Sequence, residues 1–215
     1  MRAIRSLRAG LSMAALGAFL CVASATTVQK LDFKGLTALS THVVRGTIGS
    51  SGFEYTPDGG LIVTLTTVNV TELWKGEHAD PTLTVRTPGG AIDRVVIEVP
   101  GTPVLKLGED VLLFLEKNQD GTFGVISFAQ GSFKVGRDPA DRVLVTRDAG
   151  AAHLVATDGR ESGVIASGIW ELGAVKADVD AALAASAALE DAAAEADANA
   201  VPLHDVPADA TGGAK

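Results

Sequence analysis

Cysteine is all but absent: Cys21 stands alone in 215 residues, which excludes an intrachain disulfide and a cysteine-ligated metal site. Aromatic residues make up only 5%, with two Trp and one Tyr, so large side chains must be placed sparingly in any core. Basic charge is also short. Eighteen Lys plus Arg stand against 26 Asp plus Glu, a net charge of -8, and three of the basic residues are Arg2, Arg5 and Arg8 at the extreme N-terminus. That balance argues against a phosphate-backbone binder, which needs a concentrated positive surface, so no nucleic-acid partner is expected. The longest strongly apolar run, Leu11 to Val22, is too short for a comfortable membrane span. Catalytic and metal motifs are missing too: there is no HExxH, CxxC, GxSxG or phosphate-cradling glycine loop, and His42, His78, His153 and His204 lie at no mutual ligand spacing. No cofactor is expected.

The N-terminus reads as an export signal. Arg2, Arg5 and Arg8 form a basic region, Leu11 to Val22 an apolar one, and Ala23-Ser24-Ala25 a small-residue site, so cleavage is expected after Ala25. Acylation of Cys21 as a lipoprotein is the alternative, opposed by Phe19 and Leu20 where small residues belong. The expected location is the periplasm or the cell exterior.

Residues 26–147 read as the main domain. Leu31, Leu36 and Leu39 suggest a short N-terminal helix or an extended arm, with Gly35 weakening the helix. Period-two patterning begins at His42. His42 to Ile48 reads as a first strand, ended by Gly49 to Gly52, with a turn at Pro57 to Gly60. Leu61 to Trp74 is the strongest strand signal, placing Ile62, Thr64, Thr66, Val68, Val70 and Glu72 on one parity, and its length predicts a bend or bulge. Shorter strands are expected at Thr82 to Arg86, Ala91 to Val99, Val111 to Leu115, Phe123 to Phe128, Phe133 to Val135 and Arg142 to Thr146, with Asp120-Gly121 making a hairpin turn. At least seven short strands separated by Gly and Pro turns predict a mainly β fold, a small OB-like barrel or sandwich.

The remainder changes character. Residues 148–170 read as an irregular or edge segment with weak strands at Leu154-Val155 and Val164 to Ala166. Residues 171–200 predict a C-terminal Ala-rich helix, with Leu172, Val175, Val179, Leu183 and Leu189 along one face. Alanine buries little area, so only the first half of that helix has a docking face. Residues 201–215 are polar with Gly and Pro and are expected to be a disordered tail. No transmembrane segment is expected after the signal.

Candidate site residues are few. Trp74, Tyr55 and Phe53 are the candidate binding residues, each with a packing alternative: Trp74 as a plug at the barrel end, Phe53 and Tyr55 as anchors pinning the Gly-rich loop. Trp170 is expected to dock the helix. Glu77, His78 and Asp80 could touch a metal but would need a distant fourth ligand, and Ser40, Thr41 and His42 are neighbours without catalytic geometry. The stretch Asn118 to Thr122 lacks the ligand pattern of an EF-hand loop.

Leu36 to Leu39, Val43 to Gly46, Leu73-Trp74-Lys75-Gly76, Val85 to Gly90, Pro100-Gly101, Gly108 to Leu115, Phe128 to Gly131 and Phe133 to Val135 carry a resemblance. Over residues 31–147 the chain resembles a group of uncharacterised bacterial exported proteins, and its layout is similar to the OB-like barrel of tissue inhibitors of metalloproteinases. The second similarity implies the fold alone. Those inhibitors use an N-terminal cysteine and disulfides, and a chain starting at Thr26 has neither. The leading functional expectation is a non-enzymatic binding or structural module that recognises a protein or envelope component through loops or an exposed edge strand. An inhibitor or accessory factor of a secreted protease is the alternative. An enzyme, the third reading, would require His42 or His78 to meet distant carboxylates in a pocket.

Overall fold

The computed structural model describes residues 31–147, 153–155, 161–164 and 167–198. The expected signal peptide of residues 1–25, with Cys21, and the expected tail of residues 201–215 lie outside the described residues.

The chain enters through α1 (Phe33–Leu39), where Asp32 caps the helix by accepting the Gly35 N–H at 2.8 Å. Two long strands follow, β1 (His42–Tyr55) and β2 (Ile62–Lys75), paired antiparallel along nearly their whole length. The pairing shifts register at three places, between Val43 and Val44, Arg45 and Gly46, and Ile48 and Ser51, so the expected irregularity is present. Next come β3 (Thr82–Pro88), the small hairpin of β4 (Gly90–Ile92) and β5 (Val95–Ile97), β6 (Asp110–Lys117) and β7 (Phe123–Val125). A single helical turn, Phe128–Gly131, leads to β8 (Ser132–Arg137) and β9 (Val143–Arg147). The strands β10 (His153–Val155) and β11 (Glu161–Val164) pair with each other. Finally β12 (Gly168–Glu171) adds an edge strand to β9 and runs directly into α2 (Leu172–Ala198).

The main sheet has the order β1-β2-β3-β7-β6-β8-β9-β12, and β1 also pairs with β6, from His42 opposite Leu115 to Thr47 opposite Asp110. Five strands, β1, β2, β3, β7 and β6, thereby form a ring. The fold is mainly β with a C-terminal helix, but the expected OB-like barrel is incorrect. The junction of β3 with β7 is one parallel pair, Val85 opposite Phe123, and the sheet runs on past β6 into β8, β9 and β12. A closed barrel needs a continuous ladder with matched stagger around its whole circumference. A single pair does not supply one.

Burial follows from β6, whose residues Val111 to Leu115 are buried in succession because both of its faces are covered. Val111, Leu113 and Leu115 point into the ring, where they meet Val44, Ile48, Val68, Leu83, Val85 and Phe123. Leu112 and Phe114 point the other way, into a second core with Leu36, Trp74, Phe133, Val145, Val175 and Val179. The strand is thus a shared wall, and the two helices roof the second core. Phe33, Phe133 and Trp170 cluster with ring centroids 5.3–5.8 Å apart across that roof, Trp170 edge-on to both phenyl rings, so Trp170 packs where the helix meets the sheet.

Candidate functional site

The inner face of the ring is apolar at its middle and changes chemistry toward one end. On β2 the inward parity passes from Val68 to Thr66 and Thr64. Thr66 stands opposite Ser51 of β1 and Val85 of β3, and Thr64 stands opposite Phe53 of β1 and Thr87 of β3. These rows form the floor of a cleft of about 540 Å³. Its far wall runs from Ile97 at the end of β5 through Val99, Pro100 and Pro103 to Val104 and Leu105. That segment is tied down: Ala129 N donates to Gly101 O at 2.9 Å, Thr102 Oγ1 donates to Pro88 O at 3.3 Å, and Leu105 packs against the inner core.

The floor hydroxyls are partly committed. Thr64 Oγ1 donates to Gly89 O at 2.7 Å, and the hydroxyls of Ser51 and Thr66 share a hydrogen bond at 3.0 Å. One proton serves that pair, which leaves the other hydroxyl proton and several lone pairs for a ligand. Among the described residues of the lining, Glu98 is the one titratable side chain, with no His, Lys or Arg beside it. Such a surface can recognise a chain with apolar side chains and polar backbone, but it presents no acid–base couple.

Gly90 sits at φ +149°, where a Cβ would lie 2.6 Å from Phe53 Cδ1 and 3.0 Å from Ile62 Cγ2. Glycine there lets the β4–β5 hairpin press against the Phe53 ring and the floor. Phe53 keeps about half its surface exposed at 52%, and Tyr55 is exposed at 46%.

The three candidate binding residues do not converge. Phe53 lines the cleft and Tyr55 lies two residues further along the same strand. Trp74 is at the opposite end of β2, on the order of 30 Å away at the strand rise of about 3.3 Å per residue. Its ring is buried in the second core, its Nε1 donates to Glu72 Oε2 at 2.8 Å, and Lys176 of α2 lies 5.5 Å from its ring centroid. Phe53 and Tyr55 are also on a strand, since β1 continues through Gly49 to Gly52 instead of ending there.

Charge elsewhere holds elements together. Arg45 donates from Nη2 to Asp110 at 2.8 Å and from Nη1 to Glu72 at 2.7 Å, joining β1, β2 and β6; Asp110 chiefly raises its pKa. The Trp74 indole N–H, with Arg45 adding to it, holds the Glu72 carboxyl below its ordinary range. Lys75 donates to the carbonyls of Thr37 and Ser40 at 2.6 Å each, and burial lowers its pKa. Arg147 is buried with its guanidinium 5.6 Å from the Phe133 ring and 5.4 Å from the Trp170 ring, and burial lowers its pKa as well.

His42 and His78 take structural places. His42 is buried, with Nδ1 2.9 Å from Thr41 Oγ1 and Nε2 3.1 Å from Glu77 O, and it meets Phe123 edge-on at 4.9 Å. His78 meets the same ring at 5.7 Å, and its Nε2 lies 2.8 Å from Thr82 O. The two therefore converge on a phenyl ring and on carbonyls, not on a carboxylate. Among the described residues no group of three or more His, Cys, Asp or Glu is placed to hold a metal ion. Nor is any described helix long and apolar enough to cross a membrane.

Thr64, Thr66, Thr87 and the segment 97–105 line the cleft without belonging to any functional motif in the sequence. A signal was available in β2, where Thr64 and Thr66 interrupt the apolar parity between Ile62 and Val70; hydroxyls on an inward parity mark the place where a core opens to solvent. No protein-family model and no curated protein matches the chain. With the ring joined at β3–β7 by one parallel pair and not by a barrel ladder, and with no family match, the resemblance to exported proteins with an OB-like barrel and to metalloproteinase inhibitors is overturned.

Proposed function

We propose that the chain is an exported, non-enzymatic binding module of the periplasm or cell exterior that captures a protein or envelope component in the cleft at the open end of the strand ring. The observation that carries this reading is the cleft itself: about 540 Å³, with a hydroxyl floor from three strands, apolar walls and, among the described residues, one titratable group in its lining. Shape and hydrogen-bond capacity favour binding; the missing acid–base couple disfavours catalysis. Export rests on the basic, apolar and small-residue succession of residues 1–25.

The test is crosslinking capture from native envelope and secreted fractions, with mass spectrometry, using the wild-type chain beside Thr64→Trp and Phe53→Ser. Thr64→Trp fills the cleft floor, and Phe53→Ser removes one wall. Leu73→Ala, away from the cleft, serves as the control. A partner kept by wild type and Leu73→Ala but lost by at least about tenfold in both cleft variants supports the reading. A partner held equally by all four chains places recognition elsewhere and contradicts it.

A further inference from the structure

We infer that the occupant of the cleft is an extended, basic-flanked polypeptide segment that pairs as an added strand with the outer edge of β1 at Ser51, Phe53 and Tyr55; this deepens the binding reading above and rests on it. The first half of β1 is paired on both sides, by β2 and β6. That second row ends at Ile48, whose N–H donates to Glu109 O at 2.9 Å and whose carbonyl accepts from Gly108 N at 2.8 Å. From Ser51 to Tyr55 only β2 pairs with it, and these five residues are exposed.

The hydrogen-bond alternation decides which backbone groups face outward. Thr56 N donates to Leu61 O at 2.8 Å, so the 56–61 pair is bonded, and the next pair, Tyr55 with Ile62, is not. The other side of β2 agrees, because the Ile62 carbonyl accepts from Gly89 N at 2.8 Å and so faces β3. Continuing the alternation, Tyr55, Phe53 and Ser51 turn their N–H and C=O groups away from β2. Among the described residues nothing pairs with them. This row of donors and acceptors at a two-residue repeat fits an extended chain and neither a helix nor a sugar ring.

The same residues link edge and cleft. Ser51 and Phe53 send their side chains into the cleft while their backbone groups face the open edge. A strand laid along that edge would continue the line of β6, and alternate side chains on its inner face would enter the cleft. Charge selects the partner further. Glu98 lines the cleft, Glu54 is exposed on the other face of β1, and Asp58 follows in the turn, kept ionised by bonds from Thr56 and Gly60. Among the described residues no Lys or Arg lines the cleft. Basic residues flanking the apolar positions of the segment complement this rim.

Fluorescence anisotropy with the full chain tests the inference, using three labelled peptides of about nine residues, long enough to cover the open edge. One alternates valine and serine between terminal lysines, the second replaces those lysines by glutamates, and the third is the lysine peptide with alternate amides N-methylated. The lysine peptide is expected to bind, and N-methylation and the glutamate ends are each expected to weaken it by at least about tenfold. Equal binding of the methylated peptide would overturn strand pairing while leaving cleft binding in place. Failure of every peptide, with capture still lost in Thr64→Trp, would overturn a peptide occupant and keep the cleft reading. A concentration-dependent dimer in sedimentation, abolished by Phe53→Pro, would assign the edge to a second copy and overturn the inference.

Discussion

Gly90 and Ser127 show how single backbone positions set the cleft. Gly90 adopts φ +149° with the Phe53 ring against it, so Gly90→Ala faces both a disfavoured backbone and a 2.6 Å contact. The variant is expected to lose about 2 kcal/mol of stability, checked by urea denaturation, and its Phe53 ring must shift. A variant as stable as wild type would mean that the hairpin does not bear on Phe53. Ser127 and Phe128 take successive left-handed conformations, φ 51° and 58°. They turn the chain out of β7 into the turn that anchors Gly101. Phe123 to Phe128 reads as one strand because neither residue type announces such a conformation. At this scale the sequence exposed Phe53 and Tyr55 as candidates. It did not separate them from Trp74, because an aromatic ring near a turn looks alike whether it faces solvent or a second core.

Elements were more legible than contacts. Period-two alternation marks β2, a compact apolar run marks β6, and the Asp120-Gly121 turn falls between β6 and β7 as expected. The second half of β1 was hidden by Gly49 to Gly52, small residues that read as the end of the strand but continue it, held on one side by β2. The parallel contact of β3 with β7 joins segments distant in sequence and has no local pattern, so closure of the ring was not legible at all. In α2 the face of Val175 and Val179 was legible, and both are buried against the second core. Leu189, assigned to the same face, is 72% exposed because the helix has run past the sheet. Val179→Ala is therefore expected to cost about 2 kcal/mol, while Leu189→Ala should change stability by less than about 0.5 kcal/mol. Paired urea midpoints check the contrast; equal losses would mean that the whole helix is docked.

At the scale of the whole molecule, β6 divides two cores with different tasks. The second core, under α1 and α2, holds Trp74, Trp170 and the buried Arg147, and its polar groups serve the fold. The inner core is open at one end, where valines give way to hydroxyls and, among the described residues, the edge of β1 is left unpaired. Placing recognition at that end leaves the helices as scaffold. Amide hydrogen exchange of the full chain, alone and with its captured partner, tests this division most directly. The account predicts slowed exchange confined to residues 51–55 and 97–105, with α2 unchanged. Slowing along α2 with no change at residues 51–55 and 97–105 would contradict it.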